Sequence, residues 1–168
     1  MMPDKRTIKR ARRDARAGKA PSTQAGEFVR EEVHKIRRGK HGARSTRQAI
    51  AIGLSEARRA GVPLRPPGKG KAKARTRRSA KYAYEAGQHR RKTRRRPRIA
   101  RAVRRALKRE PRRTASRAAF SRQGKRAAAR RTAADRSRAA RRAVRTKGPV
   151  RRSAAARKAA RTRARRSS

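Results

Sequence analysis

Ser45-Thr46-Arg47-Gln48-Ala49-Ile50-Ala51-Ile52-Gly53-Leu54-Ser55-Glu56-Ala57-Arg58 reads as a helix with both ends marked. Ser45 and Gln48 stand at capping-box spacing, and Gly61 followed by Pro63 ends the run after Ala60. On a helical wheel Ile50, Gly53, Leu54 and Ala57 share one side, Ala49 and Ala60 adjoin it, and Ile52 points elsewhere. The small residues let another helix come close. Upstream, Val29, Val33 and Ile36 share one face of a second helix, predicted from a cap at Ser22 or Thr23 through Arg38. Its acids Glu27, Glu31 and Glu32 precede the cations Lys35, Arg37 and Arg38, the order that suits the helix dipole. Gly39 suits the position after that helix, and Gly39-Lys40-His41-Gly42-Ala43 makes a short loop. Two helices so joined predict an antiparallel αα-hairpin over residues 21–64.

The chain around this hairpin is unlike it. Of 168 residues only 16 are Leu, Ile, Val or Phe, and ten of those 16 precede residue 65. Few large apolar side chains and a high net charge predict disorder. The expected fold class is therefore mostly α and disordered: a small N-terminal αα-hairpin followed by a long basic, largely disordered tail with conditional helices. Residues 1–20 form a basic arm that orders on a partner, 21–64 the hairpin, 65–75 a Pro/Gly/Lys linker and 76–168 an Arg/Ala/Ser-rich tail. Within the tail, Ile99, Val103 and Leu107 recur every four positions between Pro97 and Pro111, which predicts a helix over about 97–109. Gly148-Pro149 divides the low-complexity remainder. The hairpin is marginal alone and is expected to self-associate, recruit the arm, or firm up on nucleic acid.

Charge decides the class of function. The chain holds 59 Lys or Arg against 9 Asp or Glu, a formal net charge of +50, and residues 65–168 alone carry net +39. Such an excess implies a polyanionic partner, and DNA or RNA is the usual one. Tyr82, Tyr84 and Phe120 are the only aromatics after residue 64, too few for a single-strand stacking platform, which favours duplex DNA. Backbone amides and the dipole at the start of the second helix make an anion site that Lys40, Arg44 and Arg47 reinforce, with Gln48 in reach of a base edge. Further phosphate contacts are assigned to Arg94, Arg95, Arg96, Arg98, Arg101, Arg104 and Arg105, and to Arg130, Arg131, Arg141, Arg142, Arg151 and Arg152. Ser79, Ser116, Ser121, Ser137 and Ser153 lie near arginines, where phosphorylation would weaken binding.

Catalysis finds no support. Glu31 and Glu32 are adjacent and point to different sides of a helix, and Gly68-Lys69-Gly70-Lys71 lacks phosphate-loop spacing. With no cysteine and with His34, His41 and His89 scattered, no metal or cofactor is expected. No apolar run resembles a signal peptide or a membrane span, so no membrane partner is expected and the predicted address is the cytoplasm and nucleoid.

The run Gln48-Ala49-Ile50-Ala51-Ile52-Gly53-Leu54-Ser55-Glu56-Ala57-Arg58 resembles a family of small, basic bacterial proteins of uncharacterised function. Pro21-Ser22-Thr23-Gln24-Ala25-Gly26-Glu27-Phe28-Val29 and Gly39-Lys40-His41-Gly42-Ala43-Arg44-Ser45 look like the rest of that block, over roughly residues 1–65. The resemblance implies a bacterial origin and a domain boundary, with no mechanism. The Ala/Arg/Ser tail is similar in kind to bacterial linker-histone-like tails.

These readings converge on a nucleoid-associated, histone-like protein that binds and condenses duplex DNA with little sequence preference, its hairpin serving self-association or positioning. Two alternatives stay open. One is an RNA-binding or ribosome-associated basic protein, and the other an adaptor whose hairpin docks a protein while the tail tethers it to nucleic acid.

Overall fold

Alanine and arginine are strong helix formers, and a helix satisfies its backbone without burying anything. The computed structural model describes residues 3–90 and 96–167. Among these lie α1 (Lys5–Arg16), α2 (Pro21–Arg37), α3 (Thr46–Arg59), α4 (Ala74–Gly87), α5 (Pro97–Arg109), a single 3-10 turn (Arg113–Ala115), α6 (Arg117–Ala129) and α7 (Ala133–Ser167). The structure is 75% helical, which overturns the expected hairpin with a long disordered tail. Counting Leu, Ile, Val and Phe missed the two reasons. Ala and Arg hold helices on propensity, and the packing beyond residue 64 uses alanine: Ala80, Ala83 and Ala115 are buried. Two compact units divide the chain, residues 1–125 and 126–168.

In the first unit α2 and α3 form the antiparallel hairpin, with two clusters along its length. Ala25 and Phe28 of α2 meet Ala57 of α3, Val62 and Ala11 of α1, with Ile8, Leu54, Ala60 and Leu64 around them. Nearer the loop, Val33 and Ile36 meet Ala43, Ala49 and Ala115, flanked by Phe120. Between the clusters Gly53 lets the backbones touch. A Cβ there would lie 2.7 Å from Val29 Cα.

The basic arm is also ordered, and the hairpin recruits it within the chain. Asp4 caps α1 through the Arg6 N–H, which it accepts at 2.8 Å. The Asp4 N–H donates to Glu31 at 3.0 Å and Arg10 Nε to Glu27 at 2.7 Å, so α1 lies antiparallel on α2. α2 starts one residue before Ser22, at Pro21, with no side-chain cap. Proline suits the first helical position, where its φ is already set and its missing N–H leaves nothing unpaired, and the Thr23 N–H bonds the Ala20 carbonyl at 2.8 Å, so neither Ser22 nor Thr23 acts as the cap.

Two later segments complete the unit. α4 meets the end of α3 at Gly87, where a Cβ would collide with the Arg58 carbonyl oxygen, and Gln88 donates to the Gly61 carbonyl at 3.1 Å. Residues 107–115 form a clasp over the α2–α3 loop. Gly42 and Ala43 donate their N–H groups to the carbonyls of Leu107 (2.8 Å) and Pro111 (3.2 Å). Thr114 Oγ1 donates to the Ala43 carbonyl and Thr46 Oγ1 to the Thr114 carbonyl, both at 2.8 Å. Arg37 Nε reaches the Ala115 carbonyl at 2.7 Å.

In the second unit α7 breaks at Gly148, whose φ is 64°, before Pro149. Thr132 and Asp135 cap its start reciprocally. Val144 and Val150 are its exposed large apolar residues, 46% and 76% exposed. No helix among the described residues is long and apolar enough to cross a membrane.

Candidate nucleic-acid interface

The loop between α2 and α3 is shaped by what it buries. Gly39 takes φ 77° and ends α2, with its N–H on the Ile36 carbonyl at 3.0 Å. His41, Gly42 and Ala43 then turn inward under the clasp, leaving Lys40, Arg44 and Arg47 exposed. Ser45 Oγ caps α3 by accepting from the Gln48 N–H at 3.1 Å. Gln48 Oε1 accepts from the Arg44 N–H at 2.7 Å, so this side chain braces the loop from within. Lys40, Arg44 and Arg47 thus surround a helix N-terminus, while Gln48 serves as half of the cap.

The acids of the first unit are engaged away from these cations. Glu27 pairs with Arg10 (2.7 Å) and Arg30 (3.2 Å), and Asp14 with Lys19 (2.6 Å). Lys35 bridges Glu31 (2.7 Å) and Glu56 (3.4 Å). Among the described residues no acid lies in ion-pair range of Lys40, Arg44 or Arg47.

Beneath the loop lies a buried charge cluster that sequence reasoning missed. Glu32 is fully buried, and neither of its oxygens has a hydrogen-bond partner among the described residues. His41 Nε2 lies 3.5 Å from its Oε1, while His41 Nδ1 is held 3.0 Å from the Gly42 carbonyl. Burial pushes the Glu32 carboxyl up to about 7; His41 and Lys35 oppose the shift, and the negative charges of Glu56 and Glu31 add to it. Burial also raises Glu56 against the pull of Lys35. Burial would raise Glu31 too, but hydrogen bonds from Lys35, Thr7 and the Asp4 backbone hold it below its ordinary value. Groups of acids and histidines arranged to hold a metal ion are absent among the described residues. One signal was legible: Glu32 lies three residues after Val29 and four before Ile36, on the apolar face of the helix.

The remaining candidates are spread over separate helices. On α5 the cations Arg98, Arg101, Arg104 and Arg105, joined by Lys108 and Arg109, fill one arc, and all are exposed. Arg96 stands exposed at its N-terminus; Arg94 and Arg95 lie outside the described residues. Arg130 and Arg131 are exposed in the break between α6 and α7. Arg141, Arg142, Arg151 and Arg152 are exposed along α7. Sequence reasoning passed over a shallow groove on α7, lined by Arg157, Lys158, Arg161 and Arg165 with Ala154 and Thr162. The one-, three- and four-residue steps between its cations were legible but hidden in low complexity. Arg58 is basic without being available: it is buried, and its Nε donates to the Leu64 carbonyl at 3.0 Å.

No family model, curated protein or solved structure matches the chain. The chemistry must be read from the arrangement itself. It comprises exposed guanidinium groups at helical intervals, suited to phosphate oxygens, with Asp14, Glu27, Glu32 and Glu56 buried.

Proposed function

We propose that the protein is a nucleoid-associated, histone-like DNA-binding protein of the bacterial cytoplasm. It binds and condenses duplex DNA through phosphate contacts with little sequence preference. The observation that carries this reading is the partition of charge: Asp14, Glu27, Glu31 and Glu56 sit in ion pairs within the first unit, while cations line exposed faces of α5 and α7 and the rim of the α2–α3 loop. Helical presentation adds spacing to charge. Cations three and four residues apart project from one side of a rod about 1.5 Å long per residue, a period that lets several meet one phosphate backbone.

Competition binding by the full chain tests it, with duplex DNA, structured RNA and single strands at several salt concentrations. The expected result is preference for the duplex and a log–log salt slope of about −0.9 per phosphate neutralised. Affinity insensitive to salt, or tighter binding to structured RNA than to duplex, overturns it.

A further inference from the structure

α5 is divided more sharply than phosphate binding requires. Opposite its six cations, Ile99, Val103 and Leu107 share an arc with Ala100, Ala102 and Ala106. Ile99 and Val103 are each 52% exposed. Among the described residues no other helix of the first unit packs against α5, and its ties there run through the Leu107 carbonyl and the clasp at its end. Helix propensity does not explain the aliphatics, because alanine, the commonest uncharged residue of the helical α7, would serve as well. Three large aliphatics at successive four-residue steps point to an apolar contact.

The hairpin, where self-association was expected, has little left to offer. Phe28 and Ile36 are fully buried within the chain, under α1 and the 3-10 turn. The uncovered apolar stripe of the first unit is on α5. Its arc bears no charge and no free hydrogen-bonding group, so another such arc complements it. Two α5 helices joined through these arcs would turn their cations outward, away from one another and toward phosphates on either side.

We propose that α5 is a pairing surface for α5 of a second copy, joining two DNA-bound chains and so bridging two duplexes. This rests on the DNA-binding reading above. Three aliphatics and three alanines offer roughly 300 Å² per copy, well short of the about 800 Å² per partner of a stable complex. Two chains of net charge +50 therefore stay apart in dilute solution. Duplex DNA neutralises the repulsion and raises the local concentration, so pairing depends on the polyanion.

The chain has no cysteine, so single thiols report proximity cleanly. The full-length variants V103C and V150C are oxidised with and without a long duplex. The expected outcome is a disulfide dimer for V103C at least fivefold above that of V150C, whose site on α7 is 76% exposed, and only with duplex present. In a second assay an immobilised duplex captures a labelled one through the native protein, and the I99Q/V103Q variant loses this capture while single-duplex affinity stays within twofold. Failure of the native protein to bind a single duplex overturns both readings. Normal binding without capture, or equal crosslinking at the two sites, overturns the pairing alone. Protection of the V103C thiol by anionic-lipid vesicles or polyglutamate, but not by duplex, overturns it in favour of that partner.

Discussion

Replacing Glu32 by Gln should change how stability depends on pH. The carboxyl titrates near 4.5 when unfolded and at about 7 when folded, because it is buried. Between those values the native state holds a proton that the unfolded state has released, so stability falls as pH rises. The loss is complete above pH 7 and amounts to about 3 kcal/mol, at about 1.4 kcal/mol per unit. Glu56, also raised by burial, adds a contribution of the same sign. Glu31, held low mainly by Lys35 despite its burial, adds the opposite one below 4.5. Lys35, raised by the surrounding carboxylates despite its burial, loses its contribution only above pH 10.5. The Glu32→Gln amide is neutral throughout but buried, at a pH-independent cost of about 1–3 kcal/mol. The two stability curves should therefore approach or cross: the variant is the weaker at pH 5, and between pH 5 and 7.5 it loses about 2 kcal/mol less than the native protein. Urea titrations of the full chain in high salt, followed by the fluorescence of Tyr82 and Tyr84 on α4, measure this. A native stability that rises from pH 5 to 7.5, or a variant with the native slope, would refute the argument.

Other changes have expected results of their own. G53A should destabilise by about 1–3 kcal/mol, since its Cβ would press on Val29 Cα at 2.7 Å. G26A, with nothing within 4 Å of its Cβ, should stabilise α2 by about 0.5–1 kcal/mol; equal effects in thermal melts would contradict the packing described. T114V removes the hydroxyl that holds Ala43, and the Gly42 and Ala43 amides should exchange about fivefold faster, as loss of about 1 kcal/mol requires. Unchanged exchange would deny the clasp its role. Replacing Lys40, Arg44 and Arg47 together by Gln should reduce the duplex salt slope by about 3. An unchanged slope would remove this rim from the interface.

The hairpin was legible because its signals are local and agree with one another. Ser45 with Gln48, the Val29-Val33-Ile36 face and Gly39 each mark structure within a few residues. The tail was misread because disorder was inferred from missing aliphatics. Ala80, Ala83 and Ala115 bury well without being large, and Gly87 lets α4 close on Arg58 by being smaller still. Thr114, Arg37 and Thr46 carried no signal, because their partners lie far along the chain. Exposed cations were easy to name individually, but which of them share a face needed the helices. Gln48 was legible as a cap partner of Ser45, but that its oxygen would take the Arg44 N–H was not.

The clasp also bears on how the chain is made. Thr46 and Arg37 meet their partners 68 and 78 residues downstream. The contacts that hold the turn at Gly42 and Ala43 therefore cannot form until residues 107–115 have been made. Any shortened version ending at residue 64 would lack those contacts.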